Sequence, residues 1–488
     1  MAAPASHSYR YAFLLGVLMA IMLGGSYIHD HGRLLGDPDS FWHIKLGRDI
    51  LSTGHFPVVD TYSHSFAGKP FVSKEWLSEI IFAAVHQGFG WSGVLLFTAI
   101  VGIAVILVLY RELAMFIHPT FAALFSILAV TMLSPVVVAR PHLLTLPITA
   151  YFTARLLRAA EKLEAPSFWL LVLVSVWANL HGSFILAFVI AGFAFLHVIE
   201  KSKLSNPVVV SKWLLFLLAC PLAAMVHPYG VEPLRIGLNM MATNAAMSFI
   251  TEWMPFNAHE DPMVEYYLLA FLAGLIGLRL RLSWAKVIFI IFVLHMLLSH
   301  IRFIYGFFLL VPIVIVPELA DRFPDISMQN WLQRPRDVVE RFIIRRFYPL
   351  SVSMVFAALI ALLLFMQKNT LEPTEDISAE KPIAYALANH LDGPVFNEYS
   401  YGGSLIFHGI KTFVDGRAEQ LFLGDFFTGV INSNKPDGAA LFKDIIDQYH
   451  ITWTLLPIGD LRNGFLQSMG WKKAYVDDQA VIFTKPMP

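Results

Sequence analysis

Long apolar runs separated by short polar turns follow one another from residue 11 to about residue 366. A membrane-spanning helix needs about twenty apolar residues, and fewer where surrounding protein covers its ends. The pattern therefore predicts a polytopic α-helical membrane domain over 1–367, with about 11–13 transmembrane helices. The candidate spans are 11–28, 92–110, 121–138, 143–160, 168–180, 183–199, 213–226, 264–278, 287–298, 304–316 and 350–366.

The stretch 76–85 is apolar but too short to cross a bilayer unaided. It follows Lys74 and Glu75 and contains Glu79, which favours a helix lying at the membrane interface. If it does not cross, every inner loop is basic, as cytoplasmic loops are. The N-terminus is then cytoplasmic, with a retained signal-anchor helix. All residues after the last span lie on the extracytoplasmic side of the membrane. The inner basic residues are Arg111, Arg155, Arg158, Lys162, Lys201, Lys203, Lys212, Arg279, Arg281, Lys286, Arg322, Arg334, Arg336, Arg341, Arg345 and Arg346.

The pattern changes after Met366, where no run is long enough to span a membrane. Residues 368–381 are predicted to form a linker, and 368–488 an extracytoplasmic α/β domain of ordinary size. Periodicity and turn residues predict helices at 381–391 and 438–450. They predict strands at 393–399, 411–417, 452–458 and 479–485.

Composition agrees with a membrane location. Hydrophobic residues make up 57% of the 488, charged residues 15%, and the mean hydropathy is +0.61. So few charges exclude an ordinary soluble protein. The net charge of −1 gives no reason to expect a nucleic-acid partner. The single cysteine, Cys220, excludes an intramolecular disulfide and a CxxC metal or redox site.

A polar segment, 29–76, follows the first span and is called the first outer segment below. Near its start are two carboxylates spaced i, i+2, Asp37 and Asp39. Asp39 stands before an amphipathic helical pattern, so it is either the N-cap of a surface helix or a catalytic acid or base. Asp37 is followed by Pro38, which keeps its backbone extended, and it is the first choice for a general base. The same two carboxylates could instead share a divalent cation, Mg or Mn.

Further polar residues emerge on the same predicted side of the membrane, at the ends of the spans. Polar groups at membrane depth are costly and favour a functional role, although a single snorkelling Arg or interfacial His is commonly structural. Those in the first outer segment are His43, His64, Lys74 and Glu75; those at later outer turns are Arg140, His142, Asn179, His181, His227, Tyr229, Glu252, His300 and Arg302. Asp415 and Arg417, which follow a predicted strand, are either turn residues or part of an acceptor site.

The order of these features resembles the GT-C superfamily of integral-membrane glycosyltransferases. "GDPDSFWHI" (36–44) and "GKPFVSKEWLSEIIFAAV" (68–85) look like that superfamily's first outer loop. "WANLHGSF" (177–184), with "NEYSYGG" (397–403) and "FVDGR" (413–417), is similar to a bacterial branch of uncharacterised relatives. The chain lacks the WWDxG-type signature of oligosaccharyltransferases, which argues against an asparagine acceptor.

The resemblance implies an enzyme that uses a polyprenyl-phosphate-linked sugar in a bacterial inner membrane, with its C-terminal domain in the periplasm. A carboxylate of the first outer loop would deprotonate the hydroxyl of a glycan, lipid or protein acceptor, and one displacement would invert the anomeric centre. Arg140, His181, His227 and Arg302 would bind the donor phosphate. No cofactor is required on this hypothesis, although a divalent cation would help.

Two other classes fit the same pattern of spans. A transporter or lipid and glycan flippase would use the intramembrane His and Arg to bind a passing substrate, but such proteins often contain internal repeats, and none is visible here. A non-catalytic assembly protein would use the outer domain to recruit partners. Replacement of Asp37 would separate these hypotheses, because a catalyst should lose turnover and a scaffold should not.

Overall fold

A computed structural model describes residues 3–133, 136–242, 253–333 and 371–486. Three features of the sequence analysis lie outside these described residues: the candidate span 350–366, the basic residues of 334–346, and the candidate site residue Glu252.

The described chain up to Gln333 is a bundle of helices, and every predicted span in it overlaps with one of them. Four stretches are long and apolar enough to cross a membrane: Trp76–Leu113, Gly182–Ser202, Pro207–Ala224 and Ile301–Arg322. Five shorter apolar helices accompany them among the described residues. The architecture is that of a helical membrane protein, while the total of about 11–13 spans stays a prediction. The helices are α1 (Ala3–His29), α2 (His31–Leu34), α3 (Asp39–Thr53), α4 (Trp76–Leu113), α5 (Pro119–Leu133), α6 (Pro141–Glu161), α7 (Leu170–Leu180), α8 (Ile185–Ser202), α9 (Pro207–Ala224), α10 (Glu232–Ala242), α11 (Pro262–Leu278), α12 (Trp284–Ser299), α13 (Ile304–Arg322) and α14 (Met328–Gln333).

Helix α4 joins the predicted interfacial helix 76–85 to the predicted span 92–110. The two parts meet at Gly90, whose φ of 60° and ψ of −160° break the helical path. Glycine allows this conformation because it has no Cβ. The helix at 76–85 is therefore confirmed, and its position relative to the membrane stays a prediction.

Helix α3 lies directly on the first part of α4, and Gly47 makes this close approach possible. A Cβ at Gly47 would overlap the backbone carbonyl of Glu79. His43 is one helical turn before Gly47, so the contact brings its ring beside the Glu79 side chain.

Partly buried ion pairs connect helices at the end of the bundle that lies away from α3. Lys286 of α12 pairs with Glu161 of α6 and with Glu318 of α13. Glu112 of α4 pairs with Arg158 of α6 at 2.8 Å. Arg158, Lys201 and Lys286, which the sequence assigns to inner loops, take part in ion pairs at this end.

The C-terminal residues form a four-stranded sheet with helices, as the sequence predicts for an α/β unit. Its strands have the order β1-β2-β4-β3. β1 pairs parallel with β2, and the other two pairings are antiparallel. Strand β3 was not foreseen. The elements are α15 (Glu375–Ser378), α16 (Glu380–Ala388), β1 (Val395–Asn397), α17 (Gly402–Phe407), α18 (Asp425–Asn432), α19 (Ala439–Gln448), β2 (Trp453–Pro457), α20 (Arg462–Ser468), β3 (Lys472–Val476) and β4 (Ala480–Thr484).

The predicted strand at 411–417 is wrong. Thr412 makes an isolated bridge with Ser63, because its backbone partners come from the polar segment 29–76. The amide of His64 donates to the carbonyl of Thr412 at 2.9 Å, and the amide of Thr412 donates to the carbonyl of Tyr62 at 3.0 Å. The segment after the first span is thus bonded to the C-terminal unit.

A shared apolar core makes the same connection. Trp42, Leu46 and Phe71 belong to one buried cluster with Phe396 and Phe413. Residues far apart in the chain therefore share one apolar cluster. The division of the chain at 367/368 into two domains stays a prediction.

Candidate functional site

The two carboxylates at the start of α3 have different surroundings. Oδ1 of Asp37 accepts a hydrogen bond from the backbone amide of Asp39 at 2.8 Å. Pro38 is already helical, with φ −64° and ψ −22°, so Asp39 falls inside the first turn. Asp39 is therefore not the N-cap, and that interpretation is corrected, because Asp37 bonds the free amide instead.

The side chain of Asp39 points at groups outside its own backbone. Nε1 of Trp42 donates to its Oδ1 at 2.9 Å, and Nη2 of Arg140 donates to its Oδ2 at 2.5 Å. Nη1 of Arg140 also lies 3.3 Å from Oδ2 of Asp37. Arg140 thus stands between the two carboxylates, where a shared divalent cation was predicted; a requirement for Mg or Mn stays a prediction.

Charge and burial oppose one another in this group. Burial raises the pKa of Asp39 to about 6, although the positive charge of Arg140 lowers it. The two carboxylates raise the pKa of Arg140 against the effect of its own burial. The guanidinium is therefore charged at every physiological pH, and it stabilises the two anions beside it.

A second acidic centre lies at the start of α4. Glu75 is 8% exposed and is surrounded by His43, His181 and the backbone amide of Gly182. Burial raises its pKa to about 7, while Lys74 lowers it and Glu419 raises it. Burial also holds the pKa values of His43 and His181 well below their ordinary value, so both imidazoles are neutral near pH 7.

The ring of His43 is held from behind by a more deeply buried acid. Its Nδ1 lies 3.3 Å from Oε1 of Glu79, and its Nε2 lies 3.8 Å from Oε2 of Glu75. Glu79 in turn accepts a hydrogen bond from the hydroxyl of Ser73. This Glu–His–Glu arrangement follows from the approach of α3 to α4 at Gly47.

The C-terminal unit supplies the opposite wall. Glu419 pairs with the ammonium group of Lys74, and Tyr399 is a neighbour of Asp39 and Arg140. Gly416 lies so close to α3 that a Cβ there would overlap Oδ1 of Asp39. Arg302 stacks on Trp253 at 4.5 Å from the ring centre.

These groups enclose one cavity of about 550 Å³. Its polar part is lined by charged and hydrogen-bonding side chains from the first outer segment, the helix ends and the C-terminal unit: Asp39, His43, Lys74, Glu75, Glu79, Arg140, His181, His300, Arg302, Tyr399 and Glu419. Its apolar part is lined mainly by α8 and α12, through Ile185, Leu186, Val189, Phe292, Val293 and Met296. The space therefore suits a ligand with a charged group and an apolar tail.

Several predicted site residues do not line this cavity, and their polar atoms bind other protein groups. Asp37 is 8% exposed behind Asp39. His227 donates to the carbonyl of Lys74 at 3.1 Å, and Tyr229 donates to the carbonyl of Pro57 at 2.7 Å. The remaining cases are Asn179, which accepts from Nε1 of Trp76 at 2.6 Å, His142 on the carbonyl of Val136 at 2.7 Å, and His64 on the carbonyl of Val395 at 2.8 Å.

Asp415 and Arg417 form a buried ion pair rather than an open site. Arg417 bonds both oxygens of Asp415 at 2.8 and 2.7 Å, and its Nη1 lies 2.5 Å from Asp60 of the first outer segment. Arg417 borders the cavity but is 1% exposed, and Asp415 is fully buried.

Sequence reasoning missed Glu419, Tyr399 and Trp253 as cavity residues. Glu419 comes two residues after Arg417 and carries no motif that marks it. Glu79 could have been found, because it is four residues after Glu75 and therefore lies on the same face of a helix.

Comparison with solved structures finds a similar fold in the crystal structure of the Archaeoglobus fulgidus oligosaccharyltransferase in its apo form. The TM-score is 0.52 at 12% sequence identity, and the match covers 92% of this chain and 69% of that chain. No family model matches the sequence, and no curated protein does. At this identity the similarity concerns the fold.

Proposed function

We propose that this chain is a membrane glycosyltransferase of the GT-C type, which moves a sugar from a polyprenyl-phosphate-linked donor to an acceptor hydroxyl at the outer face of a bacterial inner membrane. The observation that carries the proposal is the cavity itself. It combines four carboxylates and several cationic side chains with an apolar wall, and the fold is similar to that of an oligosaccharyltransferase.

The two parts of the cavity match the two parts of such a donor. The apolar surfaces of α8 and α12 would hold the prenyl chain, since burying it from water is favourable. Lys74, Arg140 and Arg302 would face the phosphate, whose oxygens accept strong charge-assisted hydrogen bonds. The neutral imidazole of His181 would donate a hydrogen bond rather than supply a charge.

The reaction would be a single displacement. The acceptor oxygen attacks the anomeric carbon, the bond from that carbon to the phosphate oxygen breaks, and a carboxylate of the first outer segment takes the hydroxyl proton. The cations stabilise the charge that develops on the leaving phosphate. The absence of a WWDxG-type signature supports a hydroxyl rather than an asparagine as acceptor.

Transport fits the cavity less well. A transporter has no need for Tyr399 and Glu419, which come from the C-terminal unit and line the polar part of the cavity. A scaffold has no need for two buried carboxylates with pKa values of about 6 and 7, since such shifts are typical of active sites.

The test of the activity is a mass-spectrometric comparison of surface glycans and glycolipids from cells with and without the gene product. A sugar-bearing species should be lost with the gene and should return on complementation with the wild-type chain. An unchanged set of glycans and glycolipids would contradict the proposed function.

Replacement of Arg302 by alanine is expected to weaken binding of undecaprenyl phosphate about 10- to 100-fold, because a hydrogen bond to a charged group contributes about 1.5–3 kcal/mol. Native mass spectrometry of the detergent-solubilised protein measures the change. Arg235 is the matched control, because it is exposed and pairs with Glu232 on its own helix. Equal affinities of R302A and R235A would remove Arg302 from the donor site.

Replacement of Gly416 by alanine is expected to lower transfer about 10- to 100-fold, because the new methyl group displaces the Asp39 carboxylate and small displacements of positioned groups have effects of that size. Product formation in complemented cells measures it. Gly429→Ala is the control in the same unit, since a Cβ there meets no atom within 4 Å. Wild-type product levels in G416A would show that the backbone around Gly416 can move without displacing Asp39.

A further inference from the structure

The two acidic centres of the cavity differ in how their oxygen atoms are used. Both oxygens of Asp39 accept hydrogen bonds of full strength, at 2.9 Å from Trp42 and 2.5 Å from Arg140. Such bonds stabilise the anion and lower its tendency to take a proton. Asp37 accepts a hydrogen bond from the Asp39 amide at 2.8 Å, and Nη1 of Arg140 lies 3.3 Å from its other oxygen.

The partners of Glu75 stand farther away. Its Oε1 lies 3.5 Å from the amide of Gly182 and 3.5 Å from Nε2 of His181, and its Oε2 lies 3.8 Å from Nε2 of His43. None of these three contacts reaches the ordinary length of a strong hydrogen bond. Glu75 also lines the cavity, so a hydroxyl group can approach its oxygens without displacing a tightly bound partner.

We propose that Glu75 is the general base of the reaction and that Asp37, Asp39 and Arg140 form a fixed ion-pair platform beside it. This assignment rests on the proposed function and names the group that acts within it. It replaces the expectation from the sequence that Asp37 takes the proton.

A carboxylate oxygen of Glu75 takes the acceptor proton while the acceptor oxygen forms its bond to the anomeric carbon. The electron pair of the breaking carbon–oxygen bond leaves with the polyprenyl phosphate. Glu75 becomes a neutral acid, and Lys74, which precedes it in the chain, faces the new phosphate charge together with Arg302.

His43 is a positioning residue on this account. Glu79 fixes its ring from behind, so that Nε2 faces Glu75 and limits the positions that the Glu75 carboxylate can take. A buried carboxylate that orients an imidazole in this way is a recurrent device in acid–base catalysis. The ring of Trp42 lies against His43, with centres 3.6 Å apart, and restricts it further.

The burial of Glu75, together with the charges around it, predicts how transfer depends on pH. A base must be ionised to act, so the rate should rise with pH through the pKa of Glu75, about 7. If Asp39 were the base, the rise would come near 6. The titratable and charged groups that face Glu75 are His43 on α3, Glu79 on α4, His181 at the end of α7, Arg302 before α13, Arg140 before α6, Lys74 beside it and Glu419 of the C-terminal unit.

The experiment compares Glu75→Gln, Glu75→Asp and His43→Gln in the full chain. Product is measured by mass spectrometry in complemented cells. The initial rate of product formation is measured between pH 5.5 and 8.5 in isolated membranes. Binding of undecaprenyl phosphate is measured by native mass spectrometry. E75Q should lower product about 100-fold or more, with binding of the phosphate probe unchanged or tighter. E75D should restore part of the rate with a shifted pH midpoint, and H43Q should move that midpoint while keeping probe affinity.

Glu260→Gln is the matched control, because Glu260 is an exposed acid outside the cavity, and it should behave as wild type. Retention of product by E75Q would overturn the assignment of the base and leave the proposed function standing. If E75Q fails to bind the probe, the pH profile of E75D is the test. A midpoint of the E75D rate equal to that of the wild type would overturn the assignment. Loss of the gene without any change in glycans or glycolipids would instead contradict the proposed function.

Discussion

Replacement of Arg140 by leucine is expected to abolish detectable transfer and to destabilise the protein by about 3 kcal/mol. Arg140 lies between Asp37 and Asp39, whose residues are 8% and 7% exposed. Removing one partner of a buried ion pair leaves the other charge uncompensated, which costs about 3–5 kcal/mol. The lower figure applies here because the Arg140 side chain is 22% exposed.

The loss of stability in R140L should depend on pH in a defined direction. The pKa of Asp39 is raised to about 6, above its unfolded value, so the folded state binds more protons than the unfolded state between about pH 4 and 6. The stabilisation that comes from protonating Asp39 is fully present below about pH 4 and is lost as the pH rises to about 6. Without Arg140, which lowers this pKa, the window extends to higher pH.

Thermal melting of the solubilised protein at pH 5 and pH 8 measures the effect. R140L should melt closer to the wild type at pH 5, where Asp39 is protonated, and farther below it at pH 8. Arg235→Leu is the control, because an exposed i, i+3 pair contributes at most about 1 kcal/mol. A deficit that is the same at both pH values would mean that the carboxylates beside Arg140 are not the source of the instability.

The helical architecture could be predicted because its cause is local. Each span is a run of apolar residues whose length decides whether it can cross a bilayer. The inner basic residues follow an equally simple rule, and the structure gathers Lys286 and Arg158 with acidic partners at one end of the bundle. The total number of spans could not be predicted from the length of the apolar runs, since several apolar helices are shorter than a full crossing.

The side chains that meet in the cavity could be predicted only in part. Asp39, Lys74, Glu75, His181 and Arg302 were foreseen, because polar residues near apolar spans are costly and few. Which aspartate caps α3 and which one lines the cavity was not foreseen. It depends on Pro38, which is already helical and lets the Asp37 side chain accept the Asp39 amide.

The part played by the C-terminal unit had no local signal. Gly403 and Gly416 allow the backbone of the C-terminal unit to approach α3, at the Pro38 carbonyl and at Asp39. Such long-range contacts leave no periodicity in the sequence. The same holds for 411–417, where a β-like pattern pairs with the first outer segment instead of the sheet.

The contact between these two parts of the chain leads to the second large effect. Replacement of Arg417 by methionine should release the first outer segment from the C-terminal unit, because it leaves Asp60 and Asp415 as buried carboxylates without their cation. Both acids are at most 1% exposed, so a cost of about 3–5 kcal/mol is expected. That corresponds to a rise of at least about 100-fold in local opening. Transfer should fall as well, since Gly416 and Glu419 flank Arg417 at the cavity.

Hydrogen exchange at the amides of His64 and Thr412, which bond across this contact, measures the opening. The chain offers a matched control in Arg462, which pairs with Asp460 in the same i, i+2 arrangement, at 2.8 and 2.5 Å, and is 4% exposed. Arg462→Met breaks an equivalent buried pair within the C-terminal unit alone. It should lower the melting temperature of that unit while the two amides stay protected. Equal loss of protection in both variants would mean that Asp60 does not hold the segment in place, and that the apolar cluster around Phe71 and Phe413 carries the contact instead.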